Sequence, residues 1–289
     1  MGGEASDATI EDIVLRRDGR SMSALRPYLP ADFCTRAAQS LLDHAGPTLI
    51  TTGFYILSCG VVETDGPPGA VAIGEALVKL GMPIAYVTDV HGAGVMRGLA
   101  PDAEVIEFPI AGATESGQFA EEVRRRFQPT QMVAIERCSM TTEGVYRNMR
   151  SLDIGDYTAN VDTLFHLVAD TVGIGDGGNE IGMGNLADEI RAIPALPDDP
   201  AATGCAHLVI ASVSNWGGYG LVAALSRLAG RNLLPALETE VSWVTRSAEM
   251  GAVDGYLAKP VASVDGFALD DNTETLRLLH ELLERSGVR

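Results

Sequence analysis

Lysine is almost missing from this chain: Lys79 and Lys259 are the only two, and 21 Lys+Arg stand against 39 Asp+Glu for a formal net charge of -18. A nucleic-acid binder is excluded on that balance, because neutralising phosphates takes clustered Lys and Arg. Long apolar runs are missing too. No stretch reaches the roughly 20 uninterrupted apolar residues of a membrane helix. Residues 1–17 lack a basic start followed by an apolar run, so no secretory signal is read there. Cysteine is sparse: Cys34, Cys59, Cys138 and Cys205 lie far apart with no Cys-x-x-Cys pair, which argues against a cysteine zinc site. Reduced thiols in the cytoplasm are the expectation. Disorder is excluded by the 46% of hydrophobic residues.

What is present points to an enzyme-sized globular unit. A chain of 289 residues buries roughly 75% of its unfolded surface and needs no staples to fold. Helical periodicity recurs over 31–45, 68–82, 90–99, 115–127, 161–170, 219–228 and 271–285. Short β-rich runs fall between these helices, at 47–52, 84–88, 104–108, 131–135, 171–175 and 207–212. Such alternation predicts an α/β fold, a mostly parallel sheet with helices on both faces in three layers. Residues 1–30 read as a polar lead and 31–289 as a single domain. The Pro-, Ala- and Asp-rich stretch 192–203 is either a boundary or a surface loop.

Three segments rich in glycine and acids follow predicted strands, where ligands bind parallel α/β sheets. They are Thr52-Gly53-Phe54 with Glu63-Thr64-Asp65-Gly66-Pro67-Pro68-Gly69; Glu136-Arg137 running on to Gly144-Val145-Tyr146-Arg147-Asn148-Met149-Arg150; and Gly173-Ile174-Gly175-Asp176-Gly177-Gly178-Asn179-Glu180-Ile181-Gly182-Met183-Gly184. The third pairs Asp176 and Glu180 around Asn179, oxygen donors of the kind hard cations prefer. It is neither a phosphate loop, since no lysine follows, nor a dinucleotide fingerprint. A tight turn with solvated acids is the competing reading. No Gly-x-Ser-x-Gly elbow occurs, so a serine-hydrolase triad has no support.

These blocks, together with Ser214-Asn215-Trp216-Gly217-Gly218-Tyr219-Gly220, resemble the D-glutamate cyclase family, in family order and over about residues 48–230. The twelve-residue glycine block is the most specific part. The resemblance to animal members is confined to their C-terminal part, and Cys138-Ser139-Met140 departs from the loop expected at that point. The resemblance implies closure of D-glutamate to 5-oxo-D-proline with loss of water, and a divalent cation (Mg²⁺, Mn²⁺ or Ca²⁺).

Ring closure needs a deprotonated α-amine, an electrophilic γ-carboxyl group and an oxygen that leaves as water. Glu63, Asp65, Asp176 and Glu180 are therefore expected as an acidic, metal-holding cluster. Asp176 or Glu180, with Glu136 as an alternative, would take the amine proton. Arg137 is expected to clamp a substrate carboxylate, with Arg147 and Arg150 competing for that role. Gly53, Tyr146, Asn148, Asn179 and Asn215 complete the expected substrate contacts. Asp65 has a rival reading as the cap of the helix at Pro68, Trp216 and Tyr219 as packing residues, and His91 as an ordinary loop histidine. A metal-dependent hydrolase of a phosphorylated or amide substrate and a non-catalytic cation binder are the alternative functions. The expected partners are a glutamate-like small molecule and further copies of the chain, with no nucleic acid and no membrane.

Overall fold

The computed structural model describes residues 8–289. Its centre is a six-stranded, all-parallel sheet. Numbered along the chain, its strands are β1 (Thr48–Thr51), β2 (Ile84–Thr88), β3 (Glu104–Glu107), β4 (Gln131–Ile135), β5 (Asp170–Gly175) and β6 (His207–Ile210). Their spatial order is 3-2-1-4-5-6. The helices are α1 (Ile10–Val14), α2 (Phe33–Asp43), α3 (Pro67–Lys79), α4 (Val90–Leu99), α5 (Ala113–Phe127), α6 (Asp162–Phe165), α7 (Ala187–Arg191), α8 (Ser214–Ala229), α9 (Leu237–Glu249) and α10 (Leu269–Arg285).

Period-two alternation along the strands divides the core. Ile50, Tyr86, Val133 and Ile135 face α2, α3 and α8, with α9 and α10 packed outside them. Leu49, Ala85, Val87, Met132 and Ala134 face the other way, onto Ala120 and Val123 of α5 and Leu164 and Phe165 of α6. Every residue of β1 and β4 is buried, as expected of strands covered on both faces. The expected three-layer α/β architecture is thus observed.

Local chemistry sets the helix ends that matter for the site. α3 starts on Pro67-Pro68, where a missing N–H costs nothing, directly after Gly66 at φ +93°. α8 closes on Gly230 in the left-handed conformation. α3 and α8 cross at glycines: a Cβ on Gly218 would meet the Gly69 Cα at 3.2 Å. That close approach is the physical content of the Trp216-Gly217-Gly218 motif.

Two expectations are corrected. The segment read as a lead to residue 30 is core from Ile10 onward; its first seven residues lie outside those described. Ile10, Ile13, Val14, Met22 and Leu25 are buried in the main cluster, and Ser212 N donates to Val14 O at 3.0 Å. The helix expected over 161–170 shrinks to α6, because β5 already begins at Asp170. The stretch 192–203 is a loop tied to the body, with Ala201 buried and Thr203 Oγ1 donating to Asp162 Oδ1 at 2.5 Å. α9, whose stripe is only Trp243 and Val244 among charged residues, was not anticipated.

Candidate active site

The sheet order reverses at β1, whose neighbours are β2 and β4. Chain segments leaving neighbouring carboxyl ends part there and open a crevice. A cavity of about 640 Å³ occupies it. Its floor carries Arg20, Glu63, Glu136, Asp176 and Glu180.

Each acid arrives by a different route. Asp65 precedes α3 but caps α8: its Oδ2 accepts from Ser214 N at 2.8 Å, and its Oδ1 from Asn215 N at 2.8 Å and Gly66 N at 2.9 Å. An anion at that helix start is favoured by free amides and the helix dipole. Asn215 completes the joint by accepting from Gly66 N and Gly69 N through Oδ1. Glu136 ends β4 at φ +44°, a strained conformation for a residue with a Cβ, and its Oε2 accepts from Ser214 Oγ at 2.6 Å. Asp176 follows β5; Arg20 pairs with its Oδ1, while Oδ2 is buried with no hydrogen-bond partner. Arg20 also reaches Asp265 Oδ1 at 2.9 Å. One carboxylate oxygen each from Asp65, Glu136 and Asp176 falls within 4.8 Å of the others.

Crowding buried carboxylates disfavours their charged forms. Burial, then the charge of Asp265, pushes Asp65 up to about 7. Burial and the neighbouring acids Asp265 and Asp65 hold Glu63 well above the usual range. Burial and Glu180 do the same to Glu136. Asp176 is also raised by burial, against the pull of Arg20. Burial opposes the charge on Arg20, but Asp176 and Asp265 outweigh it and keep the guanidinium protonated.

The donor set fits a hard divalent cation. It is all oxygen, buried and convergent, and the lone Asp176 Oδ2 lacks the partner a buried carboxylate oxygen requires. Of the four acids expected together, Asp65 and Asp176 converge, whereas Glu63 and Glu180 lie outside the trio that Glu136 completes. Both oxygens of Glu180 are taken by its own turn: Oε1 accepts from Asp176 N (3.1 Å) and Gly177 N (2.6 Å), and Oε2 from Gly178 N (2.8 Å). Glu180 thus shapes the glycine block, while the oxygens that converge are those of Asp65, Glu136 and Asp176. A Cβ at Gly175 would meet Glu180 Oε2 at 2.8 Å, so glycine is required around that carboxylate.

Other expected contacts separate into those at the cavity and those behind it. Asn148, Arg150 and Asn179 line it. Arg137 does not: it is 1% exposed, pairs with Asp89 Oδ2 at 2.7 Å, and donates to Gly53 O at 3.0 Å and Ala159 O at 2.8 Å. Gly53 and Asn215 likewise join loops behind the floor. Tyr146 donates to Asp162 Oδ2 at 2.8 Å, away from the cavity. Arg147 pairs with Glu143 and Asp199. His91 packs on Tyr55, ring centroids 4.5 Å apart, and Trp216 and Tyr219 are fully buried. Sequence reasoning missed Arg20 and Asp265; neither sits in a patterned segment.

The family described as "D-glutamate cyclase-like, C-terminal" matches residues 10–280. The chain belongs to that family. The cyclase-like match includes Arg20 and Asp265 as well as the glycine block. A curated relative, the human protein named "D-glutamate cyclase, mitochondrial", is 36% identical over 207 residues, which is 64% of this chain and 33% of the relative. The cyclase-like chain therefore spans about a third of that relative's length. Among the described residues, no helix is long and apolar enough to cross a membrane.

Proposed function

We propose that this domain is a hydro-lyase that closes D-glutamate to 5-oxo-D-proline with release of water. The observation that carries the reading is the trio Asp65, Glu136 and Asp176, with oxygens within 4.8 Å of one another and with Glu136 and Asp176 lining the cavity. The cyclase-like family and the human relative's name support the choice of substrate.

The substrate's ammonium group is drawn to this acidic floor, and folding the short chain back brings nucleophile and γ-carbon together as parts of one molecule. A floor carboxylate outside the trio removes the amine proton. Glu63 lines the cavity outside the trio, and burial with the neighbouring acids Asp265 and Asp65 pushes its carboxyl group up, which suits it to deliver a proton to the departing γ-oxygen. Atoms and protons balance: one C–N bond forms and one C–O bond breaks, the ammonium nitrogen gives up two protons in all, and the departing oxygen takes up two and leaves as water. Asp65, Glu136 and Asp176 would hold the divalent cation. Bound there, Mg²⁺, Mn²⁺ or Ca²⁺ would supply Lewis-acid polarisation of the γ-carboxyl group. Four free cysteines, none in a disulfide, accord with a reducing compartment such as the cytoplasm.

The test is incubation of the purified chain with D- or L-glutamate, each cation supplied in turn, while ring formation is followed by NMR. D-Glutamate is expected to close, and Glu63→Gln or Glu136→Gln to lower kcat by about 100-fold or more. Absence of conversion for both enantiomers under every cation defeats the proposal. Cation-dependent thermal stabilisation without turnover would favour a binding protein instead.

A further inference from the structure

The cavity has two halves of opposite chemistry. Its floor is acidic, but its walls and mouth carry Phe54, Tyr55, Leu57, Met149, Leu152 and Tyr256. Three of these are large apolar side chains left in solvent: Met149 is 39% exposed, Leu152 49% and Tyr256 74%. Exposed apolar surface gathered at a cavity mouth marks a place where something apolar binds.

The mouth is held in place by two anchored turns. Asn148 Oδ1 accepts from Arg150 N at 2.9 Å and Leu152 N at 3.1 Å, fixing the turn that carries Met149 and Leu152. Across from it, the buried Asp254 accepts from Tyr256 N at 3.0 Å and Leu257 N at 2.7 Å, fixing the turn that carries Tyr256. Apolar side chains are thus presented over an acidic floor from two independent segments.

Free glutamate leaves the apolar half of such a site unfilled. It is polar at both ends, while about 640 Å³ lies within the ~300–1,000 Å³ range of pockets that enclose larger ligands. Its γ-carboxylate also brings a negative charge to a cavity lined by four acids, Glu63, Glu136, Asp176 and Glu180, against two arginines, Arg20 and Arg150. A γ-amide removes that charge at the reacting end and leaves the α-ammonium to face the acids.

We infer that the site accepts γ-amides of glutamate whose amine part is apolar, and closes them to 5-oxoproline with release of that amine. The inference rests on the ring-closure reading above and names its substrate class. The α-amine nitrogen attacks the γ-carbonyl carbon and gives its proton to a floor carboxylate. The γ C–N bond breaks, a protonated carboxyl delivers a proton to the departing nitrogen, and the products are 5-oxoproline and the free amine. No oxidant or further reactant is needed. The apolar part of the amine lies along Leu57, Leu152 and Tyr256.

The probes are the γ-(4-nitroanilide) and γ-benzylamide of D- and L-glutamate, beside both free glutamates, with 5-oxoproline read by NMR and nitroaniline by absorbance over the enzyme-free rate. One enantiomer of each amide is expected to give 5-oxoproline and amine in equal amounts. Leu152→Ala and Tyr256→Ala are expected to lower kcat/KM for the benzylamide about tenfold more than for free glutamate, the loss expected when one buried apolar contact goes. Closure of free glutamate with both amides inert overturns the inference and leaves the ring-closure reading standing. So does release of amine with glutamate as co-product, or an equal loss for both substrates in the two variants. If amides and free glutamate are all inert, both readings fall together.

Discussion

Arg137 and Arg20 are both arginines beside carboxylates, and their surroundings give them different work. Arg137 sits under the floor, where one guanidinium pairs with Asp89 and donates to Gly53 O and Ala159 O, so it joins the segments after β1 and β4 to the stretch preceding α6. Arg20 lines the cavity, with 28% of its side chain exposed, and spans Asp176 and Asp265. Arg137→Gln is expected to destabilise the chain by about 3–5 kcal/mol, because Asp89 remains buried without its partner. Adding Asp89→Asn should return part of that loss, since the uncompensated charge goes too. Urea unfolding of the two singles and the double measures the coupling; additive losses would show that the pair is not the reason Arg137 matters. The sequence could not separate these arginines. Arg137 follows a strand beside Glu136, which looks like a site position, whereas nothing in the polar run around Arg20 signals that Asp18 folds it towards Asp176 by accepting from Arg20 N, Met22 N and Ser23 N.

At the scale of elements, the strands and long helices were legible because period-two and 3.6-residue patterns are local. β2 and β4 begin and end at the residues their apolar runs mark. What brings the elements together is not local. Asp65 caps α8, about 150 residues away, and its rival reading as the cap of α3 was reasonable from sequence alone. The converging trio includes Glu136 and not Glu180 for the same reason: the glycine turn closes on Glu180, and only the pairing of β4 with β5 shows that Glu136 faces Asp176. The N-terminal segment was misread because α1 has only five residues and no long stripe. Its Thr9/Asp12 capping box and the burial of Ile10, Ile13 and Val14 against α8 make it an integral element. Deleting residues 1–30 is therefore expected to abolish cooperative folding, since it strips apolar side chains from the core, each worth roughly 1.5–3 kcal/mol. A truncated chain that still melts cooperatively near the full-length temperature would show the segment to be dispensable.

For the whole molecule, the excess of acid has two parts that respond differently to pH and salt. One part of the -18 is surface charge, which repels itself and is screened by ions. Another part is buried, and includes the site acids and Glu240, whose two oxygens have no partner and whose burial raises it to about 8. The folded-state values of these groups lie above the unfolded ones. The stability they contribute is fully present below about pH 4 and is lost as pH rises through the folded values, about 7 for Asp65 and about 8 for Glu240. Stability is thus expected to fall across the interval from pH 5 to pH 8.5, seen as a decreasing urea midpoint. Surface repulsion grows in the same direction over the lower part of that interval, so the profile is measured at low and high salt. High salt flattens the surface contribution and leaves the buried one. Glu240→Gln keeps the shape without the charge, and is expected to match the parent at pH 5 and exceed its melting temperature by about 3 °C or more at pH 8.5. Equal pH slopes for variant and parent at high salt would mean that Glu240 stays ionised in the fold, contrary to its burial.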